Sequence, residues 1–174
     1  MKRWYVYVLI GLAFGIFDWF FLQWLTDGLG PNLVEIFGEN PFIIISVIIG
    51  LNYGIWLVPI IPVVIYETRR ATSIKTPIPA AILTWTYALF SYYAYYAVLL
   101  SIGRLPNLAH LTLFGDRYEG FGGEYWRMFN RIILFQFLEW LPVALIGGTN
   151  IAAFFWWVMR TPYQGRFDQK KQTS

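Results

Sequence analysis

The sequence predicts an all-α, polytopic integral membrane protein whose four transmembrane helices form an up-down bundle. Hydrophobic residues make up 57% of the 174 residues. Charged residues make up only 13%, about half of their usual share in soluble domains. Four apolar runs exceed the roughly 18 residues that mark a membrane-spanning helix. A soluble helical protein would instead alternate apolar and charged faces, and these runs do not.

The four runs define the predicted helices, and we treat the whole chain, 1–174, as one transmembrane domain. At a rise of about 1.5 Å per residue, each run is long enough to cross the roughly 30 Å of hydrocarbon in a bilayer. A polar, basic tail follows the last helix. The predicted helices and tail are residues 4–25, 41–66, 79–102 and 131–159, with the tail at 160–174.

Proline and glycine residues indicate where these helices begin, bend and end. Pro41 suits the first position of the second helix. Pro59 and Pro62 each remove a backbone donor and predict a kink toward the cytoplasmic end of that helix. Glycines and a proline are expected to break the first loop, residues 26–40, apart from one interfacial turn at 33–37.

The distribution of basic residues predicts the orientation. The N-terminus, the second loop and the tail hold 2, 3 and 4 basic residues, nine together. The first and third loops hold 0 and 4. By the positive-inside rule, both termini and the second loop are cytoplasmic, and the cell membrane is the predicted location. The long third loop, 103–131, is then outside, with a short interfacial helix at 105–114 that carries His110.

Composition also excludes several functional classes. The chain has no cysteine, which excludes disulfides, thiolate catalysis and cysteine-ligated metal. The net charge of +3 follows from the topology and indicates no nucleic-acid partner. His110 is the only histidine, and no metal site is predicted. We find no nucleophile elbow, zincin motif or phosphate-binding loop.

Small residues form ridges on two of the predicted helices. Gly11, Gly15 and Asp18 share one face of the first helix, which combines a close-packing ridge with an acid. Gly50 and Gly54, together with Ser46, form a similar ridge on the second helix. Such ridges allow a neighbouring helix to approach closely, but they do not explain an acid in an apolar run.

Asp18 and Glu139 are the principal candidate site residues, because a carboxylate in hydrocarbon costs several kcal/mol unless it is paired, hydrogen-bonded or protonated. Both lie roughly 10 Å inside the outer surface on the helical rise. The first and last helices of an up-down bundle are neighbours, so we expect the two acids to face the interior and lie near each other. At least one should be protonated or bonded to a partner.

Other polar residues concentrate in the same outer half of the bundle. Gln136 shares a face with Glu139, and Asn52 needs a partner on the second helix. Tyr92 and Tyr95 belong to a tyrosine cluster that either holds the acids or forms part of an interfacial aromatic belt. These residues define a ligand-binding or proton-handling site. The alternative is a hydrogen-bonded clamp that only fixes the packing of the helices.

Three functions are compatible with this pattern. The leading hypothesis is a non-enzymatic subunit of a larger membrane complex, with a structural or assembly role or a contact to an apolar cofactor. Its partners would be the bilayer and other membrane subunits or further copies of itself. The second is a small-solute or proton transporter that uses Asp18 and Glu139. The third is a membrane enzyme acting on a lipid-like substrate. No particular cofactor is indicated.

Overall fold

The protein is helical, and its central helix is the third of the four apolar runs. The computed structural model describes residues 2–37, 40–102 and 125–172, and no strand occurs within these ranges. The predicted interfacial helix at 105–114 and His110 lie outside the described residues. The helices are α1 (Lys2–Trp24), α2 (Gly30–Phe37), α3 (Pro41–Gly54), α4 (Leu57–Arg70), α5 (Pro77–Ser101), α6 (Tyr125–Met128) and α7 (Phe135–Gln172).

Two π-helical segments connect parts of this framework. Leu25–Leu29 joins α1 to α2, and Phe129–Leu134 joins α6 to α7. The prediction that glycines and a proline break the first loop was therefore wrong over 26–32, whereas the turn predicted at 33–37 lies within α2. Gly28 lies within the first π-helical segment. Pro31 lies in the first turn of α2, where a backbone N–H would have no intrahelical partner, so the helix loses no hydrogen bond there.

The second apolar run is divided into α3 and α4, which are bent by 42°. The Asn40 side chain caps α3 by accepting a hydrogen bond from the Phe42 amide at 3.1 Å. The bend lies just before Pro59, which cannot donate to the carbonyl of Ile55. That carbonyl instead accepts from the amide of Val58 at 3.0 Å. The chain therefore turns tightly between the two helices.

The packing order differs from the predicted up-down bundle. α5 lies at the centre and packs against α1, α4 and α7. Within the described residues, α1 and α7 share no extensive contact, so the prediction that the first and last helices are neighbours was wrong. The core is rich in aromatic residues: Trp19, Trp85, Tyr92, Tyr93 and Tyr96 are all buried.

Two helical segments in the described part of the chain are long and apolar enough to cross a membrane. They are Arg3–Leu29 and Tyr125–Arg160, and the bent pair α3–α4 gives a third if it is one span. The central helix α5 does not reach the same hydropathy, because it carries five tyrosines as well as tryptophan, threonine and serine. The described part of the chain thus has two to three candidate membrane-spanning helices.

α3 stands apart from the rest of the bundle. Its apolar side chains are largely exposed, and Phe42 reaches 79%. A Cβ built on Gly50 or Gly54 would have no neighbour within 4 Å among the described residues. The predicted small-residue ridge on this helix therefore has no partner in the described part of the chain.

Candidate functional site: the Asp18 cavity

A cavity of about 130 Å³ lies between α1, α3, α5 and α7, beside the bend that separates α3 from α4. We call it the Asp18 cavity. Each helix contributes residues at the spacing of a single helical face. The lining consists of Asp18, Leu22, Asn52, Tyr53, Trp56, Leu89, Tyr92, Tyr93, Gln136, Glu139 and Trp140.

The close approach of α1 to α5 positions Asp18. A Cβ on Gly11 would collide with the Thr84 carbonyl, and one on Gly15 with the Ala88 carbonyl and the Ser91 hydroxyl. Only glycine permits this helix separation. Asp18 lies one turn beyond Gly15 on the same face, so it is held against the buried side of α5.

Asp18 is completely buried, with 0% of its surface exposed. Neither of its carboxylate oxygens has a hydrogen-bond partner within the described residues. The Ser91 hydroxyl, which lies against the preceding turn of α1 at Gly15, is engaged inside α5, because it donates to the Ala88 carbonyl at 3.1 Å. The tyrosine cluster, one of the expected partners of the two acids, therefore donates no hydrogen bond to Asp18, and neither does Gln136.

Glu139 and Gln136 reach the cavity from α7. They are three residues apart, one turn of a helix that begins directly after the second π-helical segment. The Glu139 side chain is exposed, so it lies where the cavity opens. The prediction that both acids face the interior holds for Asp18, while Glu139 occupies the rim of the same cavity.

Tyr92 and Tyr93 separate the two acids. Their rings meet edge to face with centroids 5.2 Å apart. Tyr92 is close enough to Asp18 for an electrostatic interaction, and Tyr93 is similarly close to Glu139. The two acids are thus bridged by the aromatic residues of α5, although α1 and α7 are not a packed pair.

The other candidate residues fall into two groups. Asn52 is half-buried and lines the cavity, as Tyr92 and Gln136 do. Tyr95 does not line it. The Tyr95 ring instead packs against Trp19, with centroids 5.5 Å apart, on another side of α5. Five of the six sequence-derived candidates therefore share one cavity, and Tyr95 belongs to the packing of α1 on α5.

Five of the eleven residues that line the cavity are aromatic. Trp56 lies edge to face with Tyr92, with centroids 6.4 Å apart. Tyr53 and Trp140 form a second pair, with centroids 5.9 Å apart. Sequence reasoning did not assign Trp56, Tyr53 or Trp140 to the site. Trp56 and Trp140 each follow a candidate residue, Asn52 or Gln136, by four positions, and this spacing is the signal that would have found them.

A second buried polar cluster lies at the other end of α1. The Tyr7 hydroxyl donates to Oε1 of Glu67, and Arg3 lies 3.5 Å from the same oxygen. Glu67 is only 2% exposed. It was predicted to lie in the second loop, but it belongs to the last turn of α4. The cluster ties α1 to α4, and sequence reasoning missed it because Glu67 borders a basic segment.

The described residues contain no group of three or more histidine, cysteine, aspartate or glutamate side chains that could hold a metal ion. The groups that the described residues offer to a ligand in the cavity are two carboxylates, two amides and five aromatic rings.

These features define a helical protein with candidate membrane-spanning helices and an acid-containing cavity inside its helical bundle. No family model matches the sequence, and neither the curated proteins nor the solved structures provide a match.

Proposed function

We propose that this chain is a polytopic membrane protein that binds a small polar solute in the Asp18 cavity and moves it across the bilayer. The observation that carries the proposal is the fully buried Asp18 carboxylate, whose oxygens have no partner in the described structure although the residue belongs to the lining of a cavity. Buried polar groups are hydrogen-bonded in the large majority of cases. A bound solute would supply the missing partners.

The Asp18 oxygens give less support to the alternative, in which the polar residues form a hydrogen-bonded clamp that only fixes the packing of the helices. A clamp holds helices together through hydrogen bonds between buried polar groups. Asp18 makes none with α5, even though α5 lies against it. The cluster of Tyr7 and Glu67 shows what a clamp looks like in this protein, because its acid is bonded across two helices.

The proposal includes four membrane crossings with both termini in the cytoplasm. α5 has 25 residues, so it is about 37 Å long at the helical rise and can cross a bilayer. Thr84, Ser91 and three of its five tyrosines are buried inside the bundle, which offsets its lower hydropathy. The α3–α4 pair would then cross once, as a bent span.

The cysteine-free sequence offers a direct test of whether solutes reach the cavity. A Gln136→Cys variant places one thiol on the cavity wall, and small methanethiosulfonate reagents report its access to water, because only the thiolate reacts. Ser73→Cys, exposed between α4 and α5, is the positive control. Ile146→Cys, 64% exposed on the apolar surface of α7, is the control for a lipid-facing thiol.

In native membranes, we expect Gln136→Cys to react at a measurable fraction of the Ser73→Cys rate and Ile146→Cys to remain unmodified. If Gln136→Cys is as unreactive as Ile146→Cys toward every small reagent, solutes do not enter the cavity and the proposed function is wrong.

A second candidate function is a subunit of a larger membrane complex, and the exposure of α3 favours it. The open ridge of Ser46, Gly50 and Gly54 would suit close packing of a helix from another chain. Mass measurement of the particle in mild detergent distinguishes the candidates. Complex formation that is lost in Gly50→Leu supports the subunit, and a stable monomer contradicts it.

A further inference from the structure

We propose that the ligand of the Asp18 cavity is a small organic cation with N–H donors, of the primary ammonium or guanidinium type. This inference rests on the proposed function and specifies the class of solute. It follows from the charge, the walls, the size and the unpaired oxygens of the cavity.

The charged side chains that the described residues contribute to the lining are all acidic. Asp18 and Glu139 contribute two carboxylates, and no lysine or arginine among the described residues lines the cavity. Basic residues are also absent from the stretches 4–66, 76–103 and 132–159, which contain every lining residue. An anionic solute would therefore meet like charge in a poorly solvated space, while a cation would neutralise an acid that otherwise has no partner.

The walls favour an organic cation over a hydrated metal ion. Five aromatic side chains, from Tyr53, Trp56, Tyr92, Tyr93 and Trp140, line the cavity. Aromatic faces attract ammonium and guanidinium groups within about 6 Å of the ring centroid. Hard metal ions prefer several oxygen ligands, and the described residues contain no cluster of three acids or histidines.

The volume of the cavity limits the size of the part of a solute that can lie inside it. A cavity of about 130 Å³ is close to the roughly 150 Å³ apolar cavity that holds one benzene molecule. A solute of about six non-hydrogen atoms therefore fits inside, and a longer one would extend through the opening near Glu139.

The Asp18 oxygens distinguish among organic cations. Both oxygens lack partners, and a carboxylate accepts two parallel N–H bonds from a guanidinium or separate bonds from an ammonium. A quaternary ammonium has no N–H and would leave both oxygens without a hydrogen bond, which is unfavourable for buried polar groups. The cavity therefore favours cations with N–H donors.

A pair of thiol reagents with opposite charges tests the sign of the electrostatic potential inside the cavity. The 2-aminoethyl and 2-sulfonatoethyl methanethiosulfonates are similar in size and opposite in charge. We measure the ratio of their rates on Gln136→Cys in purified full-length protein and divide it by the ratio on Ser73→Cys. A negative cavity should raise this normalised ratio at least about tenfold, and adding Asp18→Asn should lower it severalfold.

Protection experiments test the donor chemistry without any change at Asp18. Guanidinium and urea have nearly the same shape, but only guanidinium is charged. At millimolar concentrations, guanidinium or ethylammonium should slow the neutral methyl reagent on Gln136→Cys, whereas urea and tetramethylammonium should not. Ser73→Cys should be unaffected by all four.

The outcomes separate this inference from the proposed function. If no reagent reaches Gln136→Cys, the proposed function fails and this inference fails with it. If the reagents react with no preference for positive charge, or if urea protects as well as guanidinium does, the cavity admits solutes without selecting cations, and only this inference is overturned. Protection by tetramethylammonium equal to that by ethylammonium would overturn the requirement for N–H donors.

Discussion

Asp18 is the residue whose replacement best separates binding from packing. An Asp18→Asn change keeps the shape of the side chain and removes the uncompensated carboxylate. If Asp18 serves binding, we expect the free energy of unfolding to be unchanged or to rise by about 1–3 kcal/mol, because burial of an unpaired polar group is unfavourable. Unfolding in detergent measures this change.

The matched control is Asp27→Asn, because Asp27 is exposed in the π-helical segment after α1. That change should alter the free energy of unfolding by less than about 0.5 kcal/mol. A large loss of stability in Asp18→Asn, with none in Asp27→Asn, would show that Asp18 holds the bundle together.

At Tyr7 and Glu67 we expect substitution to lower the free energy of unfolding, because this acid is hydrogen-bonded. Tyr7→Phe removes the donor and leaves buried Glu67 with Arg3 as its remaining partner. We expect a loss of about 1–3 kcal/mol in the free energy of unfolding. Tyr5→Phe, at a tyrosine that is 69% exposed, should have little effect. Equal effects of the two changes would contradict the assignment of this cluster as a clamp.

At the scale of single helices, the two glycine ridges should respond differently to added methyl groups. Gly15→Ala forces a Cβ into the backbone of α5 and should destabilise the protein by about 1–3 kcal/mol. Gly50→Ala meets open space and should stabilise α3 by up to about 1 kcal/mol through helix propensity. Denaturant unfolding of both variants checks the prediction, and similar destabilisation by both would contradict it.

Helix positions were predictable from sequence wherever local chemistry decides them. The start of α3 at Pro41 follows from proline in the first turn and from an N-cap at Asn40. The end of α4 was placed too early, because Arg69 and Arg70 resemble a polar loop while buried Glu67 still belongs to the helix. A local pattern does not reveal a bond from Glu67 to Tyr7, 60 residues away.

The packing order was not predictable, for a physical reason. α1, α5 and α7 are apolar around most of their circumference, so no periodicity identifies the face that meets a partner. The cavity could be predicted in part, because Asp18 and Glu139 are conspicuous in apolar runs. The aromatic residues Trp56 and Trp140 were not identified, since tryptophan in a membrane helix ordinarily indicates an interfacial position.

For the whole molecule, the proposed four crossings predict which segments face the same compartment. An impermeant thiol reagent should label Ser73→Cys in inside-out membrane vesicles and not in right-side-out vesicles, because the segment between α4 and α5 is placed in the cytoplasm. Asp27→Cys should show the reverse. Labelling of both positions from the same side would show that one of the intervening helices does not cross the membrane.

The central claim is that the unpaired Asp18 carboxylate binds a solute. Measuring protein unfolding in the presence of a ligand tests this claim most directly. Purified full-length protein is unfolded thermally in increasing concentrations of ethylammonium, with Asp18→Asn as the matched variant. A ligand that binds only the folded state stabilises it by about 2.7 kcal/mol at a concentration 100 times Kd. The account predicts a saturable rise in Tm for the unaltered protein and none for Asp18→Asn. The same rise in both proteins, or no rise in either, would contradict it.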